Sequence, residues 1–232
     1  MGFNKPQAEE KPARANIGYV KEIGEGRVTN SGDYMFVKYD IGGYGASENI
    51  KGIFMFRPEW LVEGFNPGSL EKLDGGKAFE RQYRNHVSSD ESLSTLQGLC
   101  GGKEELHDEL ADRIFSLGID PNIPEVVNDT EEELQARQEA CNVILDAVRT
   151  CLQQFLVDEK NGERVGYTTG HQYKKTDEVD EEGKAIYVRQ RWREVKSWFD
   201  PDDERAVKSL LKRASKSEGK FVISFTEDEV PF

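Results

Sequence analysis

Tyr34-Met35-Phe36-Val37-Lys38-Tyr39-Asp40-Ile41 alternates two sets of side chains over eight residues. Tyr34, Phe36 and Lys38 share one parity, and Met35, Val37, Tyr39 and Ile41 share the other. Successive strand residues point to opposite faces. This aromatic and β-branched run therefore predicts a strand with one set in a core and the other free for stacking. Aromatic residues on both parities leave a second reading open, in which both faces are buried. Working outward, Ile17-Gly18-Tyr19-Val20-Lys21-Glu22-Ile23 is strand-like, and Gly24–Gly26 predicts a turn after it. Gly42, Gly43 and Gly45 follow the central stretch, and Ile50–Arg57 predicts a third strand that stops at Pro58. Short strands punctuated by glycine suit a small barrel or sandwich.

Farther along, residues 58–87 hold Trp60, Leu61, Phe65, Leu70, Leu73, Phe79 and Tyr83, which suggest short helical turns capping the strands. Arg81, Gln82, Tyr83 and Arg84 make a small basic-aromatic patch, read as a solvated helix end. Residues 88–160 have helical periodicity. Leu93, Leu96 and Leu99 form one short stripe, ended by Gly101-Gly102. Leu106, Leu110, Ile114 and Leu117 form a second, stopped by Gly118. The longest helix starts at Asp129 or Thr130, with Glu133 placed for a capping box. Its stripe is Leu134, Cys141, Ile144, Leu145, Val148, Cys151, Leu152 and Phe155, which makes the two cysteines core residues.

Arg164–Lys175 predicts a strand, Asp180-Glu181-Glu182-Gly183 an acidic hairpin turn, and Ala185–Phe199 the returning strand. If that strand is extended, Tyr187, Arg189, Arg191 and Arg193 share one face. Tyr173, Lys174 and Lys175 lie on its expected partner. Arginines take phosphates and stack on bases, and tyrosines stack without regard to sequence. These residues, with Tyr34, Phe36 and Lys38, are the candidate nucleic-acid surface. The competing reading pairs the arginines with Asp177, Glu178, Asp180, Glu181 and Glu182. Asp200-Pro201-Asp202-Asp203-Glu204 is a helix start, with Ala206, Val207, Leu210 and Leu211 as the buried face. Lys220–Phe225 is a final strand. Three strands, a helical block and two strands is the order of an OB-fold. The expected fold is thus α+β: an OB-like β-barrel over residues 17–225, with a large acidic helical insertion at 88–163 and a C-terminal helix-strand unit. Residues 1–16 are expected to be a disordered arm.

The net charge of −13 speaks against nucleic acid at first sight, but its distribution does not. Residues 88–163 carry 18 acidic and 5 basic side chains, whereas the rest of the chain has 26 of each. Removing Glu227, Asp228 and Glu229 leaves a weakly basic body, and local potential is what a polyanion feels. Three cysteines without short paired spacing argue against a disulfide framework and a zinc site. His86, His107 and His171 are far apart in sequence and read as surface or helix-face residues. There is no apolar signal segment and no run long enough to span a membrane, so a cytoplasmic protein is expected. No P-loop, nucleophile elbow or metal-ligand cluster is present, so neither catalysis nor a metal or other cofactor is expected.

The chain ends in Thr226-Glu227-Asp228-Glu229-Val230-Pro231-Phe232. An aromatic ring with a terminal carboxylate suits a peptide ligand, the ring filling an apolar pocket and basic groups taking the carboxylates. At these residues the chain resembles the tails of bacterial and phage single-stranded DNA-binding proteins. The resemblance implies sequence-independent binding of single-stranded DNA, protection of intermediates in replication, recombination and repair, and no catalysis. It also implies recruitment of replication or recombination enzymes through Glu227, Asp228, Glu229, Val230, Pro231 and Phe232, and the cytoplasm of a bacterial host. An oligomer is compatible with it. The long polar linker of the bacterial family is missing and the acidic insertion is foreign to it; phage-encoded versions vary more, so the resemblance points to a phage-encoded protein. The alternative from another class is an acidic protein-binding adaptor or DNA mimic, with an enzyme behind it.

Overall fold

The axis of the molecule is β1 (Ala13–Val28), a 16-residue strand that pairs along its length with three others. The structure is a computed structural model that describes residues 12–43, 50–61, 94–120, 123–179, 183 and 185–225, giving the backbone alone for 59–60, 172–179 and 185–193. The other strands are β2 (Met35–Gly43), β3 (Ile50–Phe56), β4 (Arg164–Val179), β5 (Ala185–Phe199) and β6 (Phe221–Ile223). The helices are α1 (residues 94–99), α2 (Glu104–Phe115), α3 (Glu131–Leu152) and α4 (Glu204–Lys216). A π-helical turn, Gln153–Glu159, extends α3.

The hydrogen-bonded path is β3-β2-β1-β4-β5, antiparallel throughout, and β6 lies parallel to the first residues of β1. The two end strands, β3 and β5, approach each other. Among the described residues no ladder joins them, so the sheet is not closed into the expected barrel. The mixed α+β class stands.

Alternation in β2 resolves as one buried and one accessible face. Met35, Val37, Tyr39 and Ile41 are buried, whereas Phe36 is half-buried and Lys38 exposed. Ile50, Phe54 and Phe56 of β3 join the same core. It is closed by Leu110 and Ile114 of α2, by Ile144, Leu145, Val148 and Leu152 of α3, and by Phe155 and Leu156 beyond it. Each such aliphatic or aromatic side chain contributes about 1.5–3 kcal/mol when fully buried, so the helical block is part of one core with the sheet. Cys100, Cys141 and Cys151 are buried and free. Burial pushes the Cys100 thiol up to about 12, with Glu109 and Glu163 adding to it, so it stays protonated and unreactive.

Several expectations need correction. β1 begins at Ala13, so the arm is shorter than residues 1–16: Arg14–Tyr19 pair with β4, and Ala15 and Asn16 are buried. Residues 1–11 lie outside the described residues. Gly24–Gly26 is no turn. β1 runs through it with irregularities between Val20 and Glu22 and between Ile23 and Gly26. Glycine inside a strand marks a bulge or a close approach, and here it is the approach of α3: a Cβ on Gly26 would sit 2.7 Å from a Leu145 methyl. In α4 only Val207 is buried, and Leu211 is exposed. β6 spans three residues rather than six. The patch Arg81–Arg84 and most of the 58–87 block lie outside the described residues.

Candidate nucleic-acid interface

The accessible parity of β2 lies between two basic neighbours. Arg27 of β1 pairs in register with Phe36, and Phe36 with Met55 of β3. The Arg27 guanidinium lies 5.1 Å from the Phe36 ring centroid. Arg57, just past β3, lies 5.5 Å from the Tyr34 ring centroid. Lys38 faces Ile53 across the β2–β3 ladder, and Ile53 is 56% exposed, an apolar side chain on the accessible face. Farther along, Lys38 is 3.8 Å from Glu25, and Lys51 is 3.1 Å from Asp40. Lys38 and Glu25 are both exposed, and Lys51 is exposed over a partly buried Asp40; surface pairs of this kind contribute little to stability. The face therefore grades from ring and guanidinium near the 29–34 turn to paired charges away from it. A guanidinium over a ring makes a flat platform that offers both a π face and positive charge.

The 29–34 turn is held internally. The Thr29 amide donates to the Tyr34 carbonyl (2.9 Å), the Gly32 amide to the Thr29 carbonyl (2.9 Å), and the Tyr34 amide to Thr29 Oγ1 (3.2 Å). The backbone of Tyr34 is thus part of the turn itself.

The second candidate group lies on the β4–β5 hairpin. Here the register brings Tyr173 opposite Arg189, Lys175 opposite Tyr187 and His171 opposite Arg193. Lys174 sits opposite Val188, out of step with Tyr173 and Lys175. Arg191 falls in an irregularity between the His171 and Tyr173 pairings. Of the proposed hairpin set, Tyr173, Lys175, Tyr187, Arg189 and Arg193 therefore occupy paired alternate positions. His171, read as a surface or helix-face residue, instead joins them from β4. β4 pairs with β1 only as far as Thr169, so this half of the hairpin continues beyond the start of β1. The 29–34 turn is at the other end of β1. The two candidate groups thus sit toward opposite ends of the sheet. Residues 226–232 lie outside the described residues.

No family model, curated protein or solved structure matches this chain. Among the described residues, no group of three or more His, Cys, Asp or Glu could hold a metal ion, and no helix is long and apolar enough to cross a membrane.

Arg27 and Arg57 were missed by sequence reading. Cross-strand pairing decides what lies beside a ring, and register is not visible in one strand. His107, on α2, is 3.6 Å from Asp108 and stands far from either group in sequence.

Proposed function

We propose that this protein binds single-stranded DNA without sequence preference, over the exposed face of β1–β2–β3 and along the β4–β5 hairpin. The observation that carries the reading is the pair of guanidinium-on-ring platforms, Arg27 with Phe36 and Arg57 with Tyr34, on an accessible sheet face beside the exposed Ile53. Stacking on such platforms tolerates any base. The sheet path supports the reading: β3-β2-β1-β4-β5 with approaching end strands, and a helical block between β3 and β4, is compatible with the strand order of an OB-like barrel, although among the described residues no ladder closes it. Folds host many functions, so this support is by analogy. The hairpin positions Tyr187, Arg189 and Arg193 opposite Lys175, Tyr173 and His171 add positive charge. The tip Glu227–Phe232 is read as the recruiter of replication and recombination enzymes, as in the bacterial and phage proteins it resembles.

The test is fluorescence anisotropy with a labelled oligo-dT from about 50 to 200 mM salt, where a phosphate binder weakens steeply. Binding with a marked salt slope and no turnover of the DNA is the expected result. Absence of binding at the lowest salt would refute the reading. One observation favours a second reading, an acidic adaptor: Val143 is 72% exposed on the outer face of α3, between Glu139 and Asp146. That reading predicts no DNA binding at any salt.

A further inference from the structure

α3 lies along the bulged half of β1 like a splint, and its contacts converge on the 29–34 turn. Gln153, just past α3, accepts the Ile23 amide at the bulge (3.1 Å). Three residues farther along β1, Leu145 packs where Gly26 leaves no Cβ. At the turn itself Arg137, only 5% exposed, donates from Nε to the Gly32 carbonyl (3.1 Å) and from Nη1 to the Pro124 carbonyl (2.8 Å). Its Nη2 is 3.9 Å from Asp33. Cys141, one helical turn away, directs its thiol to the same Gly32 carbonyl (3.4 Å), and Gln138 donates to the Asn30 carbonyl. Gly32 has φ +69°, and a Cβ there would sit 2.7 Å from Arg137 Cγ, so glycine is required twice over.

A buried arginine bonded to two backbone carbonyls is expensive to desolvate and strongly destabilising to leave unpaired. Apolar packing would fill the same space with less risk. What Arg137 adds is geometry: a rigid fork spanning a turn that lies 105 residues away and the loop at Pro124. That turn delivers Tyr34 and Phe36 on one side and Arg27 on the other.

We propose that Arg137 is a positioning residue for nucleic-acid binding, and that the acidic helical block is a brace for the β1–β2 turn. Arg137 touches no nucleic acid. It fixes the turn, and through it the two platforms, before the ligand arrives. Preorganisation of this kind cuts the ordering cost of binding. The inference rests on the single-stranded DNA reading for its ligand, and on the clasp alone for its mechanics.

The experiment compares wild type with Arg137→Met and Leu110→Ala. The first keeps the apolar stem and removes the fork. The second opens a cavity in the same helical core without touching the turn. Hydrogen exchange of residues 29–34 and anisotropy with oligo-dT are measured well below each melting temperature. Arg137→Met is expected to speed exchange in the turn and to weaken DNA binding by up to about tenfold, with an unchanged salt slope, because no phosphate contact is lost. Leu110→Ala is expected to lower the melting temperature and leave both readouts as in wild type. Unchanged exchange and affinity in Arg137→Met would overturn the proposal, as would an equal loss of affinity in Leu110→Ala. If Arg137→Met does not fold, Gln138→Ala, on the surface, is expected to move both readouts less and in the same direction; no movement overturns the clasp. If wild type itself fails to bind oligo-dT, the ligand reading falls, and exchange in the turn still decides for or against the clasp.

Discussion

Replacing Phe36 by Ala removes one platform and leaves the core parity of β2 untouched. Loss of a stacked base weakens binding by roughly 1–3 kcal/mol with little change in salt slope. Anisotropy across salt should show parallel lines for Phe36→Ala and wild type. Arg27→Ala removes the charge above the same ring, and its line should be shallower if Arg27 also meets phosphate, by about 0.7 per contact. Acid provides a second residue-level expectation. The Asn128 amide and side chain hold the Glu133 carboxyl below the usual glutamate range. Lys160 and then Arg113 do so for Glu109, and Arg113 does so for Glu159. A carboxyl depressed in the folded state contributes stability above its unfolded value, and that contribution is lost as pH falls through the folded value. Urea midpoints should therefore hold near neutrality and fall below about pH 4. A Glu133→Gln variant should start lower and lose less on acidification. Arg137 was legible at this scale and passed over. It lies three residues after Leu134 and four before Cys141, in the middle of an apolar stripe, where a charge demands a partner.

At the scale of elements, α3 is the best-read part of the chain. Thr130 accepts from the Glu133 amide (3.3 Å), as the capping-box spacing predicts, and the stripe from Cys141 to Phe155 is buried. Glu133 reaches the Asn128 amide (2.9 Å). Thr130→Ala should cost about 1 kcal/mol, read as a lower urea midpoint with DNA affinity unchanged. The glycines of β1 were misread because a turn and a close approach leave the same mark in sequence. What distinguishes them is Leu145, more than a hundred residues away. Leu211 was misread because α4 lies at the margin of the sheet and buries one residue, not a full stripe. The β4–β5 hairpin was legible as a pair of strands but not in register, since an irregularity between the His171 and Tyr173 pairings takes Arg191 out of the paired set; Lys174 differs, being on the other parity from Tyr173 and Lys175 by position alone. Register also makes a prediction. Replacing Arg189 and Arg193 by Ala should weaken oligo-dT binding and reduce the salt slope, whereas Lys174→Ala should do less of both.

For the whole molecule, charge is segregated between an acidic helical block and a sheet whose exposed face carries rings and guanidinium groups. The succession of strands along the chain was legible, because most of them are bounded by turn residues, although β1 runs through the glycines read as its end. The sheet's open seam was not, because closure depends on ladder geometry between β3 and β5. The tip is expected to compete with DNA phosphate for the body's basic groups. Removing residues 227–232 should then raise oligo-dT affinity, most at low salt, while abolishing capture of a replication or recombination enzyme. Removing Phe232 alone should abolish capture and keep most of the competition, and linkage requires DNA to loosen the tip in turn. Phe225, just before the tip, lies 6.2 Å from Phe199 at the end of β5. What anchors it is the parallel pairing of β6 with β1, bounded by the Ala13 amide on the Lys220 carbonyl (3.0 Å) and the Ser224 amide on the Ala15 carbonyl (2.9 Å). Suppose an enzyme held the tip while DNA held the sheet. Tension directed along β1 would then load these bonds together, in shear, and they would yield at one threshold. Tension directed across the strand would peel them in sequence at a lower force. The direction of pull, as much as its size, would set whether the grip on the partner outlasts the grip of β6 on the sheet.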